Sequence, residues 1–269
     1  MKWVLPAGAF SLLLAVFAAK GGRALARTLP FRRCLPIRGK ALFMRSTSWF
    51  RDAEDYQRQG YTWAVIPWLW GNTSRRPNRD ESFYEGLRRL GIPFLLMVWP
   101  TPSHWRTEIE ETVLEAKRLG ALGIVLDVEK ASEWPFDRAS QMARFANDLA
   151  HRSGLKVGLT SWGSAQLHRD FPFGAFVSYM DFAIPQLYDP ALNLSESYFK
   201  NGMDAWIDNG FRCLIFGASE YERTSGRPRL KDGSVMARYL ALAKQAINPK
   251  TAILWENRPV NEHFKQWRI

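Results

Sequence analysis

Short apolar runs alternate with amphipathic stretches along the chain from residue 41 onward. Eight of these runs are rich in β-branched and aromatic residues, which predicts strands. The predicted strands are 41–46, 62–70, 93–99, 123–129, 156–162, 181–188, 212–218 and 251–255. Between them, apolar residues recur at helical spacing, most clearly in 80–90, 107–119, 138–153 and 234–247. Eight repeated strand–helix units predict a parallel sheet closed into a (β/α)8 barrel, the TIM barrel.

Glycines mark the ends of the predicted helices. Gly91, Gly120, Gly154 and Gly210 each follow a helical stretch, where the chain commonly turns through a left-handed conformation. An open, doubly wound α/β sheet is the alternative architecture. No glycine-rich phosphate loop follows the first predicted strand, so the closed barrel is favoured.

The first 40 residues differ from the rest in charge and hydropathy. Residues 3–19 carry no charge, and their length is at the lower limit for a membrane span, although they also resemble a secretory signal. Residues 1–40 hold eight basic residues and no acid, which leaves 29 basic and 26 acidic residues for the remainder. We therefore predict that residues 1–40 are a hydrophobic anchor or signal followed by a basic linker, and that residues 41–269 are the barrel.

This charge distribution bears on partners and location. The barrel itself is nearly neutral, so no nucleic-acid partner is expected, whereas the basic segment suits anionic lipid or an anionic wall polymer. We predict a secreted or cell-envelope protein, with membrane contact through residues 1–40. The positive-inside rule disagrees, because more basic residues follow the apolar segment than precede it. A third interpretation is an apolar peptide held within a larger assembly, such as a phage virion.

Cysteine, histidine and tryptophan usage narrows the chemistry. Cys34 and Cys213 do not suggest a disulfide framework, and Cys213 lies in an apolar run typical of a core. The four histidines lack metal-ligand spacing, so we expect no metal site and no cofactor. The 12 tryptophans are a high number, and an indole face stacks well on a sugar ring.

Two carboxylates end the fourth predicted strand. Asp127 and Glu129 are two residues apart, so on a strand both point to the same side, roughly 6–7 Å apart along the backbone. Carboxylates are costly inside a core and natural at the mouth of a barrel. Two acids on one face can be given different pKa values, as glycosidases require. The simpler interpretation is a solvated strand end, because D-x-E alone is a weak signal.

In a (β/α)8 barrel the functional site lies at the C-terminal ends of the strands. Those ends carry mostly aromatic and acidic residues. They are Trp68, Trp70, Trp99, Asp127, Glu129, Trp162, Gln186, Tyr188, Asp189, Glu220, Trp255 and Glu256. Each has an ordinary explanation as a rim or turn residue, but together they are typical of a carbohydrate cleft.

The residues around these acids resemble two families of barrel enzymes. Residues 123–129 (GIVLDVE) resemble the fourth strand of the chitinase-type family 18 and the muramidase-type family 25, both of which end this strand in D-x-E. Residues 186–189 (QLYD) are similar to the M-x-Y-D of family 18 and, with Pro185, to the A-Q-Y of family 25. Trp255 falls where family 18 places the tryptophan beneath the −1 sugar.

The chain also departs from both families. Family 18 shows D-x-x-D-x-D-x-E, whereas Gly123 and Val125 stand near the positions of the earlier acids. Family 25 begins with an aspartate on its first strand, where this chain has residues 45–47 (RST). These gaps are expected either of a divergent enzyme or of a barrel that has lost its activity.

The resemblance implies a retaining glycosidase acting on an N-acetylhexosamine polymer, with peptidoglycan favoured over chitin. It implies that Glu129 is the general acid, that Asp127 orients the substrate acetamido group, and that Tyr188 and Asp189 hold that group. The further residues expected to bind substrate are Trp70, Trp99, Trp162, Gln186, Trp255 and Glu256. Two alternatives stay open: a non-catalytic sugar-binding barrel, and a structural component of an envelope or virion assembly.

Overall fold

The computed structural model describes residues 34–44, 50–70, 80–163, 168–187, 195–219, 221–224, 227–230, 233–255, 264 and 266–268. Its strands are β1 Gly39–Phe43, β2 Trp63–Trp70, β3 Phe94–Trp99, β4 Gly123–Asp127, β5 Lys156–Trp162, β6 Phe182–Gln186, β7 Phe216–Ser219, β8 Tyr221–Thr224, β9 Arg227–Leu230 and β10 Thr251–Trp255. Its helices are α1 Ala53–Arg58, α2 Glu81–Arg89, α3 Trp105–Leu119, α4 Phe136–Arg152, α5 Phe173–Val177, α6 Glu196–Asp208 and α7 Gly233–Ile247.

Eight parallel strands close into a barrel in the order β1-β10-β7-β6-β5-β4-β3-β2. The closure joins the two ends of the barrel sequence, since Gly39 of β1 pairs in register with Thr251 of β10. Helices follow the strands along the chain. The predicted (β/α)8 barrel is therefore confirmed for the described residues, while residues 1–33 lie outside them.

The four glycines after predicted helices have positive φ angles, of 66° at Gly91, 75° at Gly120, 76° at Gly154 and 100° at Gly210. Residues with side chains rarely adopt this conformation, so the glycines stop the helices where the sequence indicated. Other boundaries were wrong by a few residues. The fourth strand ends at Asp127 rather than at residue 129, and the seventh begins at Phe216 rather than at residue 212. The antiparallel hairpin of β8 and β9 was not predicted.

Apolar side chains on the two faces of the barrel strands form two separate cores. Val65, Met97, Val125 and Ile253 belong to the cluster that fills the barrel interior. Their chain neighbours, such as Leu126, belong to the cluster between the sheet and the helices. Burial on both faces explains why these strands read as continuous apolar runs.

The N-terminal end of the barrel is closed by a disulfide bond between Cys34 and Cys213. The two cysteines did not suggest a disulfide framework in the sequence, so the bond corrects that interpretation, whereas Cys213 does lie in the interior core, with 8% of its surface exposed. Leu35 and Ile37 are buried beside it. The compact unit begins at Cys34, so residues 34–40, which we assigned to a linker, pack against the barrel. The division of the chain ahead of Cys34 stays a prediction.

Most of the described tryptophans are core residues. The buried ones are Trp63, Trp68, Trp105, Trp134 and Trp206. Trp68, expected at the mouth, lies instead in the core between sheet and helices. Packing therefore accounts for these five tryptophans.

The described ranges contain no helix with the length and apolar character to cross a membrane. The predicted anchor, residues 3–19, lies outside those ranges.

Candidate active site

Three polar side chains meet inside the barrel where β4, β5 and β6 end. Asp127 pairs in register with Thr160, and Gln186 ends β6 opposite Trp162. Asp127 continues the inward-facing series of Gly123 and Val125, since alternate residues of a strand share a face. Asp127, Thr160 and Gln186 are all buried, with 4%, 0% and 5% of their surfaces exposed.

Hydrogen bonds connect the three side chains. Gln186 Nε2 donates to Asp127 Oδ1 at 3.2 Å and to Thr160 Oγ1 at 3.4 Å. The Thr160 hydroxyl donates in turn to the carbonyl oxygen of Ile184 at 2.9 Å. The chain of bonds therefore runs from a strand backbone to a buried carboxyl group.

Two effects raise the pKa of Asp127 well above its ordinary value. Burial is the larger, because it disfavours the charged carboxylate, and the negative charge of Glu129 adds to it. The hydrogen bond from Gln186 acts in the opposite direction and lowers the pKa. Asp127 consequently keeps its proton to a higher pH than a free carboxyl group.

Glu129 lies two residues past the end of β4 and is half-buried. The chain between them still follows the sheet, since the Val128 amide donates to the Thr160 carbonyl at 3.1 Å. The Trp162 indole N–H donates to the backbone carbonyl of Glu129. The backbone that carries Glu129 is thereby attached to the end of β5.

Two of the predicted sugar-binding tryptophans are half-buried at this end of the barrel. Trp99 ends β3 and Trp162 ends β5. One face of the Trp162 ring is stacked on His168, with centroids 4.4 Å apart and planes at 15°. The backbone carbonyl of Trp162 accepts a hydrogen bond of 3.1 Å from the Trp206 indole N–H. Trp162 therefore has structural contacts in addition to any role as a platform.

The other predicted site residues are described only in part. Trp70 ends β2 in register with Trp99, and Trp255 ends β10 in register with Ser219; their side chains are not described. Tyr188, Asp189, Glu220 and Glu256 lie outside the described residues.

Sequence reasoning missed Thr160 and the link between Trp162 and Glu129. A signal for Thr160 was present, because Gly158, Thr160 and Trp162 alternate along β5 and so share a face with a residue already predicted at the mouth. Nothing in the pattern indicated the indole hydrogen bond. Within the described part of the chain, no group of three histidine, cysteine, aspartate or glutamate residues could hold a metal ion.

Together, the fold and these residues define a TIM barrel with an acidic pair at its mouth. No family model and no curated protein matches the chain. Solved structures do match. A chitinase from Chromobacterium violaceum superposes with a TM-score of 0.61 at 11% identity, covering 84% of this chain and 96% of that one.

Two further structures are similar to a comparable extent. The spore cortex-lytic enzyme SleL of Bacillus megaterium gives a TM-score of 0.61 at 10% identity, over 86% of this chain and 73% of that one. A class V chitinase from Pseudomonas fluorescens gives 0.60 at 10% identity, over 85% and 98%. The resemblance to TIM-barrel glycoside hydrolases is confirmed at the level of the fold, at identities of 10–11%.

Proposed function

We propose that this protein is a glycoside hydrolase that cleaves an N-acetylhexosamine polymer, with peptidoglycan as the first candidate and chitin as the second. The observation that carries the proposal is the pair at the end of β4. Asp127 is buried in the barrel with a raised pKa, and the half-buried Glu129 follows it at the mouth. Two acids in unlike environments are what an acid-catalysed glycosidic cleavage needs.

In the first step, Glu129 donates its proton to the glycosidic oxygen while the bond from that oxygen to the anomeric carbon breaks. The carbonyl oxygen of the sugar's own acetamido group forms a new bond to the anomeric carbon, so the protein needs no nucleophile of its own. Positive charge then develops on the acetamido nitrogen. Asp127, as a carboxylate, accepts a hydrogen bond from the acetamido N–H, and its raised pKa makes it a better proton acceptor at that moment.

In the second step, Glu129 is a carboxylate and acts as the base. It takes a proton from water as the water oxygen bonds to the anomeric carbon, and the bond to the acetamido oxygen breaks. Two displacements give net retention of configuration. In this proposal Tyr188 and Asp189 hold the acetamido group, and Trp255 forms the floor beneath the sugar. Trp70, Trp99, Trp162, Gln186 and Glu256 complete the binding cleft.

Two observations support the choice of polymer and the location. The names of two similar structures, chitinase and spore cortex-lytic enzyme, support an amino-sugar polymer as the substrate. The disulfide between Cys34 and Cys213 favours an oxidising compartment, outside the cytoplasm. We therefore propose that the barrel belongs to the cell envelope or to the secreted proteins, with the chain ahead of Cys34 as its export signal or anchor.

A second candidate is a sugar-binding barrel without catalysis, and the inner face of β4 favours it. Val125 is fully buried in the apolar interior. A Cβ atom at Gly123 would lie 2.2 Å from the Lys156 carbonyl oxygen, so no side chain fits there. Neither position can supply the additional acids that the similar family 18 strand carries.

Digestion of purified polymers separates the two candidates. Peptidoglycan and chitin are incubated with the protein from pH 4 to pH 8, and released sugars are identified by mass spectrometry. We expect new reducing ends from the wild type and none above background from Glu129→Gln. Glu133→Gln is the matched control, because Glu133 lies four residues away in a surface ion pair with Lys130. A protein that binds either polymer and releases nothing is a sugar-binding barrel.

A further inference from the structure

The hydroxyl of Thr160 fixes the orientation of the Gln186 amide. A threonine hydroxyl has one proton, and Thr160 donates it to the carbonyl of Ile184. Toward Gln186 the same oxygen can only accept, so the amide group that faces it must be the NH2. The nitrogen lies 3.4 Å from Thr160 Oγ1 and 3.2 Å from Asp127 Oδ1. Its two protons therefore serve these two oxygens.

This arrangement also assigns the proton of Asp127. Because Oδ1 accepts an N–H from Gln186, a protonated Asp127 carries its proton on Oδ2, and once that proton is lost Oδ2 is the oxygen left to accept the acetamido N–H. An acid bonded in this way has one oxygen held by the barrel and the other available to substrate. The residues of β4 that precede Asp127 on the same face give it no polar contact, since Val125 is apolar and Gly123 admits no side chain.

We propose that Gln186, oriented by Thr160, is the positioning residue for Asp127 in the proposed hydrolysis, and that it directs Oδ2 toward the acetamido group. The inference rests on the proposed function, and it changes the role of Gln186 from the expected substrate contact to a support for the acid. Gln186 is buried to 5% exposure and its NH2 group faces the barrel interior, as a supporting residue requires.

Paired substitutions test this role in the full-length protein. Gln186→Met keeps the length of the side chain and removes the N–H donor. Thr160→Val keeps the shape and removes the acceptor that orients the amide, and Thr160→Ser restores it. The matched control is Thr112→Val, because Thr112 is equally buried and its hydroxyl donates to the Glu108 carbonyl within α3, at 2.7 Å.

The first measurement is the titration of the Asp127 carboxyl carbon by 13C NMR, with the signal assigned by its loss in Asp127→Asn. Gln186→Met should raise the pKa of Asp127, because the N–H that favours its charged form has been removed. Thr160→Val should raise this pKa by less, whereas Thr160→Ser and Thr112→Val should leave it unchanged. Circular dichroism confirms that each variant is folded.

The second measurement is the rate on the polymer that the wild type cleaves. Gln186→Met should lower kcat by about 10-fold or more with little change in KM, as misplacement of a reacting group does. Thr160→Ser should recover the rate lost in Thr160→Val.

An unmoved Asp127 titration in both Gln186→Met and Thr160→Val would overturn the inference, as would an equal shift in Thr112→Val. A shifted titration with an unchanged kcat would also overturn it, because Gln186 would then hold Asp127 without serving the reaction. If no polymer is cleaved, the proposed function fails, and the titration still decides whether Gln186 holds Asp127.

Discussion

Among the described residues, each end of the barrel buries one aspartate, and the surroundings of the two aspartates differ. Asp127 at the mouth and Asp181 at the opposite end are both 4% exposed. Asp181 accepts hydrogen bonds from the Val157 amide at 3.0 Å and from His151 at 2.8 Å, and Lys156 lies 3.4 Å away. Asp127 accepts from the neutral amide of Gln186 and experiences the negative charge of Glu129.

Equal burial thus gives two different kinds of acid. Removing a carboxylate from water is costly, and at Asp181 a backbone N–H and two basic side chains offset that cost. At Asp127 the surroundings leave the cost largely in place, so the proton is retained. Local rules of stability are most often broken where function needs it. The comparison predicts that the end with Asp181 serves stability and the mouth serves chemistry.

The disulfide provides the largest test of that division. Cys34 and Cys213 are 179 residues apart in sequence, and a cross-link over so long a loop restricts the unfolded chain by roughly 5 kcal/mol. We expect reduction, or the double substitution of both cysteines by alanine, to lower the free energy of unfolding by up to that amount. Urea denaturation with and without dithiothreitol measures it.

The rate of hydrolysis per folded molecule should be unchanged by that loss, because the bond closes the end of the barrel away from the acids. A rate that falls in parallel with stability would mean that the two ends are coupled. It would contradict the prediction that one end serves stability and the other serves chemistry. A chain that begins at Gly39 lacks Cys34 and also the buried Leu35 and Ile37, so its loss of stability should be at least as large.

At the mouth, Glu129→Gln should have the opposite profile. It removes the transferable proton while keeping the shape, so the rate should fall at least about 10²-fold. Substrate binding should change little, because no uniform binding contact is lost. Thermal unfolding should show equal or higher stability, since a like charge beside Asp127 has been removed. A clear fall in the unfolding temperature of Glu129→Gln would show that Glu129 supports the fold.

These contrasts also show what the sequence could and could not predict. The strands were visible because both of their faces are buried, and helix ends were visible because glycine is needed where φ is positive, as at Gly120. The charge of Glu129 raises the pKa of Asp127, which agrees with the closeness of the two acids that the two-residue period of a strand predicts. All of these are local properties, which can be predicted from the pattern of neighbouring residues in the sequence.

Contacts between distant segments were not visible. Gln186 reaches Asp127 across the intervening β5, 59 residues along the chain, and that meeting depends on the registers of two strand pairs. The pairing of Cys34 with Cys213 depends on how the chain before β1 crosses the end of the barrel. The tryptophan count could not show which indoles are available to a sugar, because composition does not distinguish a buried indole such as Trp206 from an accessible one.

Asp181→Asn tests the stable end by a smaller effect. The amide can still accept the Val157 N–H, but the negative charge that faces His151 and Lys156 is lost. The Lys156 side chain is 35% exposed, so solvent screens its charge, and we expect a loss of about 1–2 kcal/mol in the free energy of unfolding. Urea denaturation measures the loss, and the rate should equal that of the wild type. A stability equal to that of the wild type would show that the negative charge of Asp181 contributes nothing to the free energy of unfolding.

The smallest effect expected, and the one with the opposite sign, is that of Asp127→Asn on stability. The folded-state pKa of Asp127 is raised above its unfolded value of about 3.9. Its contribution to stability is therefore fully present below pH 4 and is lost as the pH rises through the folded pKa. Asparagine does not titrate. The free energy of unfolding of Asp127→Asn, relative to that of the wild type, should therefore rise between pH 4 and the folded pKa of Asp127 and stay constant above it. Urea denaturation of both proteins at intervals from pH 3 to pH 8 gives this difference, and groups that do not interact with Asp127 cancel. A difference that shrinks with rising pH would mean that Asp127 is stabilised as a carboxylate, as a structural acid would be, and the contrast between the two ends of the barrel would disappear.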